Sequence, residues 1–169
     1  ITRLLVQWNV VAPNRPSRPA SPFDPAYRFD DLDEALRAAQ LQDQEAMLTI
    51  SGTPRWAGGG APNRMPHRIQ DFRLFSQAIA ARYSGRFAGY PFVRFWSVWN
   101  EPNLTLFLTP QFDRQGRSVA PANYAKLYAA GYAGIKAGNP RALVGMRGDA
   151  LFDARTYVVG EPAPRAPAR

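Results

Sequence analysis

Short apolar runs alternate with longer segments of helical periodicity along most of this chain. Four runs are almost continuously apolar, spanning residues 3–8, 46–51, 93–99 and 142–146. Runs of this kind are typical of parallel strands buried on both faces. Between them, apolar side chains recur at helical spacing over residues 31–44, 68–83 and 121–136. The alternating order of strands and helices predicts parallel crossover units and therefore an α/β fold.

Each predicted helix has one apolar side that we expect to pack against the sheet. The acids Asp30 and Asp31 begin the first helix, and Pro121 and Gly138 bound the third, as helix termini prefer. The side chains expected to face inward are Leu32, Ala35, Leu36, Ala39, Leu41, Ile69, Phe72, Phe75, Ile79, Tyr83, Tyr124, Leu127, Tyr128, Tyr132 and Ile135. Aromatic stripes of this kind are typical of a core and not of a binding surface.

The loops that follow the predicted strands are long, at residues 9–30, 52–67 and 100–120. Loops at the carboxyl ends of parallel strands build the active site of a (β/α)8 barrel, and a doubly wound open sheet uses the same edge. We therefore expect the functional face there. The three glycines of residues 58–60 are not followed by a helix start, so they predict a flexible turn and not a phosphate-binding loop.

Composition excludes several classes of protein. The 169 residues are 46% hydrophobic and include no cysteine, so disulfides and thiolate metal sites are excluded. No apolar stretch approaches the length of a membrane span. The net charge of +8 comes from scattered arginines without a basic stripe, which argues against nucleic acid as a partner. The single histidine, His67, cannot assemble a metal cluster, and no cofactor is expected.

The most informative polar residues, Asn100-Glu101-Pro102, follow the third apolar run. Pro102 disfavours the helical conformation for Glu101 and predicts an extended backbone there. A single carboxyl group held at a strand end is suited to general acid catalysis. By itself the motif is better explained by a carboxylate that caps a loop or pairs with one of the many arginines, and only the surrounding segments favour the catalytic role.

Four segments together resemble a retaining glycoside hydrolase of clan A. They are residues 10–13 (VVAP), 51–57 (SGTPRWA), 81–85 (ARYSG) and 95–103 (FWSVWNEPN). The likeness is greatest to the bacterial proteins related to family 39, and next to family 5 cellulase-like enzymes. It covers residues 1–146 and implies a (β/α)8 TIM barrel, of which this chain would supply about four strands, the second to the fifth, and three helices. A secreted or extracellular bacterial location is favoured but not decided.

The resemblance also implies a chemistry, the hydrolysis of O-glycosyl bonds in an oligo- or polysaccharide. Glu101 matches the general acid/base of the family, and Asn100 matches the residue that hydrogen-bonds the sugar 2-hydroxyl. A retaining enzyme needs a second carboxylate about 5 Å away as nucleophile. The family carries it on the seventh strand, and the acids after Glu101 do not stand in that context. We therefore expect the nucleophile outside this chain.

Further candidates follow from position at the strand ends. Trp56 is either a platform for a sugar ring or a core residue. Trp8 and Asn9 end the first strand and either line the mouth of the site or pack within the fold. Arg55 either binds a hydroxyl or carboxylate group or forms a salt bridge that holds its loop. Trp96 and Trp99 are expected to pack within the barrel or between strand and helix, although Trp99 lies next to the site.

The last segment, residues 147–169, matches the family poorly, so we expect a partial glycosidase barrel over residues 1–146 and a disordered or discontinuous tail. A non-catalytic carbohydrate-binding or structural barrel fragment is the alternative function. The sequence does not fix the sugar, the choice between endo and exo action or the oligomeric state. A partial barrel also leaves sheet edges open, which predicts association of the isolated chain.

Overall fold

The structure, a computed structural model, describes residues 1–145 and has α/β architecture. Its elements in chain order are β1 (Thr2–Gln7), α1 (Trp8–Val11), α2 (Asp30–Leu41), β2 (Ala46–Ser51), α3 (Arg55–Gly58), α4 (Ile69–Arg82), β3 (Phe95–Val98), α5 (Ala120–Gly138) and β4 (Leu143–Gly145). The four predicted strands and three predicted helices are confirmed, whereas the single turns α1 and α3 were not expected. The predicted tail, residues 147–169, lies outside the described residues.

The four strands form one parallel sheet in the order β1-β2-β3-β4. Leu4, Leu48, Trp96 and Val144 lie opposite one another across it. A doubly wound sheet reverses its strand order at a switch point, and this sheet has no reversal over its described strands. Since crossover connections are right-handed, sequential order places the long helices on one face of the sheet.

The core lies between that face and the helices. Its sheet side is formed by the alternate residues that point toward the helices: Val6, Leu48, Ile50, Trp96, Val98 and Val144. The helices contribute Leu36, Phe72, Phe75, Ile79, Leu127 and Ile135. The predicted inward position of Leu41 is wrong, because α2 ends at this residue and the side chain is 89% exposed.

Helices α4 and α5 approach each other closely through glycines of α5. A Cβ atom at Gly134 or Gly138 would overlap backbone carbonyl oxygens of α4, and one at Gly131 would meet Val98 and Phe72. The glycines cost some helix propensity, roughly 1 kcal/mol each. They allow backbone contact that any side chain would prevent.

A buried ion pair joins α2 to α4. The Arg82 guanidinium donates from Nε to Asp33 Oδ1 at 3.0 Å and from Nη2 to Oδ2 at 2.6 Å, and the Tyr83 hydroxyl donates to Oδ1 at 2.8 Å. Asp33 and Arg82 are both buried. Burial acts to raise the pKa of the Asp33 carboxyl, but the hydrogen bonds from Arg82 and Tyr83 outweigh it and the pKa is lowered overall.

The opposite face of the sheet, here called the inner face, carries the remaining strand residues: Arg3, Leu5, Met47, Thr49, Phe95 and Ser97. In a closed barrel this face lines the interior. Thr49 and Ser97 are neighbours in register and are buried. Within residues 1–145, no helix is both long and apolar enough to cross a membrane.

Candidate active site

The carboxyl ends of β1, β2 and β3 bring three loops to one edge of the sheet. Backbone hydrogen bonds continue the strand alignment past the strand ends, from Asn9 N to Gly52 O at 3.0 Å and from Trp99 N to Ile50 O at 2.8 Å. Gly52 has φ +82°, and a Cβ atom there would overlap Asn9 Oδ1. The predicted residues Asn9 and Asn100-Glu101 therefore lie along the same edge.

The backbone around Asn100 is strained. Trp99 has φ +66° and Glu101 has φ +38°, values that bulky and branched residues rarely adopt. The extended conformation predicted for Glu101 is therefore wrong. Two left-handed residues on either side of Asn100 turn the chain sharply where β3 ends. Strained residues of this kind cluster at functional sites.

Asn100 and Glu101 differ in their surroundings. Asn100 is 6% exposed, and its Oδ1 accepts a hydrogen bond from Arg3 Nη2 at 2.5 Å. Glu101 is half-buried, and its carboxylate has no hydrogen-bond or ion-pair partner among the described residues. The chain thus holds one amide in a fixed orientation beside a carboxylate that remains accessible.

The loop after Glu101 is held from several sides. Leu104 N donates to Glu101 O at 3.0 Å, and Gln111 Nε2 donates to Pro102 O at 2.9 Å. The indole N–H of the fully buried Trp99 donates to Phe107 O at 2.8 Å. These bonds fix the backbone immediately beyond the carboxylate.

This loop is also joined to the loop between β2 and α4. Thr109 N donates to Asn63 O at 2.7 Å, and Met65 N donates to Thr109 O at 3.0 Å. The Asn63 side-chain amide donates to Thr105 O at 2.8 Å. The two loops form one wall at the carboxyl edge.

Trp56 lies in α3, half-buried and fixed by its own N–H. Its Nε1 donates to Ala12 O at 2.8 Å, and the Arg15 guanidinium lies 4.5 Å from its ring centroid. Arg15 also donates to Trp56 O at 3.3 Å and pairs with Asp71 at 3.5 Å. A cation therefore covers part of the ring, which restricts how a sugar can stack on it.

The structure corrects the predicted position of Trp8 at the mouth of the site. Trp8 is fully buried in α1, where it stacks on Phe75 with centroids 5.5 Å apart and meets the edge of Trp56 at the same distance. It packs on the helix side of the sheet, and its contact with Trp56 supports that side chain from the core. The core alternative is the one that the structure shows for this residue.

Arg55 and His67 are both exposed. Arg55 begins α3, and no ion pair to it occurs within residues 1–145. His67 lies on the loop before α4, and the part of the chain that the structure describes has no group of three or more metal-ligating side chains.

Sequence reasoning missed Arg3. Because side chains alternate across a strand, an arginine between Thr2 and Leu4 in a run whose other face is apolar must point to the inner face. That alternation was the available signal. Its hydrogen bond to Asn100 passes across β2 to the end of β3, and no local sequence pattern indicates such a contact.

No family model matches the chain, and no curated protein matches it. Solved structures do share its fold. The glucosidase from Croceicoccus marinus aligns with a TM-score of 0.61 and 17% identity over 85% of this chain and 28% of that protein. The monomeric beta-xylosidase from Caulobacter crescentus CB15 aligns with a TM-score of 0.61 and 21% identity over 86% and 29%. A family 39 glycoside hydrolase from the gut symbiont Bacteroides cellulosilyticus WH2 aligns with a TM-score of 0.54 and 16% identity over 85% of this chain and 25% of that protein.

The chain thus spans 25–29% of the length of these three proteins. The likeness confirms the predicted α/β fold, which matches one part of the TIM barrels of these three proteins. The resemblance to family 39 glycoside hydrolases that the sequence suggested is confirmed at the level of the fold.

Proposed function

We propose that this chain is the acid/base-bearing part of a retaining O-glycoside hydrolase. One observation carries the proposal: a buried, hydrogen-bonded Asn100 and an accessible Glu101 lie together on strained backbone at the carboxyl edge of the sheet. The fold shared with a glucosidase and a beta-xylosidase supports it. A carboxylate that only capped a loop would have its oxygens satisfied by that loop, which is not the case among the described residues.

The proposed chemistry has two steps. Glu101 gives a proton to the glycosidic oxygen as its bond to the anomeric carbon breaks, and a second carboxylate attacks that carbon from the opposite face. Glu101 then removes a proton from the water that hydrolyses the glycosyl-enzyme. Asn100 donates from its amide to the sugar 2-hydroxyl, a bond that strengthens as charge develops in the transition state.

The nucleophilic carboxylate belongs, on this proposal, to a part of the protein outside this chain. The substrate is a carbohydrate. Asn9, Arg55 and Trp56 are proposed to contact it from the neighbouring loops. Trp8 acts only by supporting Trp56, since it has no exposed surface.

The test replaces Glu101 with glutamine in the full-length protein. Because two of the similar structures are a glucosidase and a beta-xylosidase, the first substrates are the two anomers of 4-nitrophenyl D-glucoside and 4-nitrophenyl β-D-xyloside, alongside the matching disaccharides. We expect Glu101→Gln to lower kcat/KM on disaccharides by about 10²–10⁴-fold, the usual contribution of general acid catalysis. The loss on nitrophenyl glycosides should be smaller, because nitrophenolate leaves without a proton.

The matched control is Glu45→Gln, an exposed glutamate just before β2 at the amino edge of the sheet, which should keep full activity. Undiminished disaccharide hydrolysis by Glu101→Gln would rule out the acid/base role. Saccharide binding by the full-length protein without turnover of any substrate would instead favour the non-catalytic alternative.

A further inference from the structure

Arg3 reaches from the first strand to the residue beside the proposed acid/base. It lies on β1 opposite Met47 and points to the inner face. Its Nε donates to Thr49 Oγ1 at 2.9 Å, and its Nη2 donates to Asn100 Oδ1 at 2.5 Å. A guanidinium donor makes this hydrogen bond charge-assisted, and such bonds are among the stronger kinds in proteins.

This bond determines which end of the Asn100 amide is free. A guanidinium has only donors, so the amide must turn its oxygen toward Arg3 and its NH2 group away from it. Asn100 is 6% exposed, so water has little access to compete for that oxygen. Polarisation of the amide by the cation also makes its N–H groups better donors.

We infer that Arg3 is a positioning residue, which acts through Asn100 by fixing the amide so that Nδ2 donates to the substrate. The inference rests on the proposed function, because it needs a sugar hydroxyl at Asn100. Sheet stability alone does not account for the contact. Strands β1 and β2 already pair over their full lengths, and the Arg3 head group extends past β2 to a residue beyond the end of β3.

The experiment is a kinetic double-mutant cycle in the full-length protein. Arg3→Met keeps the aliphatic stem and removes the guanidinium, and Asn100→Ala removes the amide. We expect Arg3→Met to lower kcat/KM by about tenfold to hundredfold, as for loss of a hydrogen bond to a charged group. In the Asn100→Ala background the same change should have less than about a threefold further effect, because the coupled pair is already broken.

A glycoside that lacks the 2-hydroxyl provides the second readout. The 2-deoxy analogue of the best nitrophenyl substrate should be almost insensitive to both Arg3→Met and Asn100→Ala. A residue that merely stabilised the sheet would affect both substrates alike. Arg94→Met, which removes an exposed arginine at the amino edge of β3, is the matched control and should keep wild-type kinetics.

If Arg3→Met lowered kcat/KM equally in the wild-type and Asn100→Ala backgrounds, the inference would be overturned. The absence of any loss of kcat/KM in both backgrounds would also overturn it. If Arg3→Met does not fold, as judged by thermal unfolding, Arg3→Lys takes its place, since lysine keeps the charge but lacks the planar fork of donors that a guanidinium presents. Failure of both variants to fold would show a structural role and also overturn it. The outcome is separate from that of the proposed function, which fails if Glu101→Gln retains disaccharide hydrolysis or if the full-length protein turns over no glycoside.

Discussion

Trp99 and Glu101 hold left-handed backbone conformations on either side of Asn100. Each costs on the order of 1–3 kcal/mol and persists only where the surroundings determine it. For Trp99 the surroundings are visible: the ring is fully buried and its N–H is bonded to Phe107 O. Burial of the Trp99 side chain thus offsets the backbone strain of the turn that places Asn100 and Glu101 at the sheet edge.

Gly52 gives a prediction at the same scale. Gly52→Ala places a Cβ on a residue with φ +82° and against the side-chain oxygen of Asn9. We expect it to lower the unfolding free energy by more than the roughly 1–2 kcal/mol that left-handed backbone alone costs. It should also lower kcat/KM by displacing Asn9, and thermal unfolding together with steady-state kinetics measures both effects.

Gly116→Ala is the matched control for Gly52→Ala. Gly116 has φ +75°, and a Cβ there meets nothing within 4 Å. It should therefore show the backbone cost without the overlap and leave kinetics unchanged. Equal effects of the two substitutions on stability and activity would contradict the expected overlap between a Cβ at position 52 and the Asn9 side chain.

At the scale of elements, the ion pair between α2 and α4 sets a pH dependence. The pKa of Asp33 is lowered in the folded protein, so its contribution to stability is present above the unfolded-state pKa of about 3.9 and is lost as pH falls through the folded-state value. Asp33→Asn leaves Arg82 buried without its counter-charge and should cost about 3–5 kcal/mol at neutral pH. Denaturant unfolding from pH 7 to pH 2 should show this difference shrinking below pH 4.

The exposed pair Asp113 and Arg117 provides the comparison for Asp33→Asn. Its Arg117 side chain is 76% exposed, so Asp113→Asn should change stability far less. A difference between wild type and Asp33→Asn that stayed constant to pH 2 would show that Asp33 does not act through its charge.

The helices and strands were predictable where regularly spaced apolar residues continued over a segment long enough to define one face. Helix α4 and strand β2 follow the sequence pattern closely, because each places a continuous series of side chains in the core. The single turns α1 and α3 were missed, since four residues carry no detectable period. Leu41 was misplaced because spacing gives the face of a helix but not the residue at which it ends.

The site was predictable only in part, for a similar reason. Asn100 and Glu101 stand in a recognisable motif at a strand end. The hydrogen bond from Arg3 and the cation over Trp56 depend on residues that are distant in sequence. Such contacts follow from strand register and loop conformation, neither of which a local pattern specifies.

At the scale of the whole molecule, two features favour association: apolar side chains of the inner face are open to solvent, and the outer edge of β1 is unpaired among the described strands. Leu5 on β1 is 45% exposed, and no strand pairs with the outer edge of β1 within residues 1–145. Open edges of this kind promote pairing with other chains. We expect the isolated chain to elute in size-exclusion chromatography above its monomer mass of 18.8 kDa, increasingly so at higher concentration.

Leu5→Lys should reduce that association, because a charge on an edge strand opposes pairing. Leu41→Lys is the control, since Leu41 is 89% exposed but ends helix α2 and is not part of a strand. Monomeric behaviour of the unmodified chain at all concentrations would contradict the expected association.

The wall formed by the two joined loops bears on any attempt to re-engineer this edge of the sheet. Asn63 O, Met65 N and both backbone groups of Thr109 are bonded across the two loops and not within either one. A graft that replaced residues 101–119 alone would leave the Asn63 and Met65 groups without partners, at about 1–3 kcal/mol for each one that is buried. Residues 52–67 and 101–119 therefore depend on each other, and a design should replace both loops together or leave both in place.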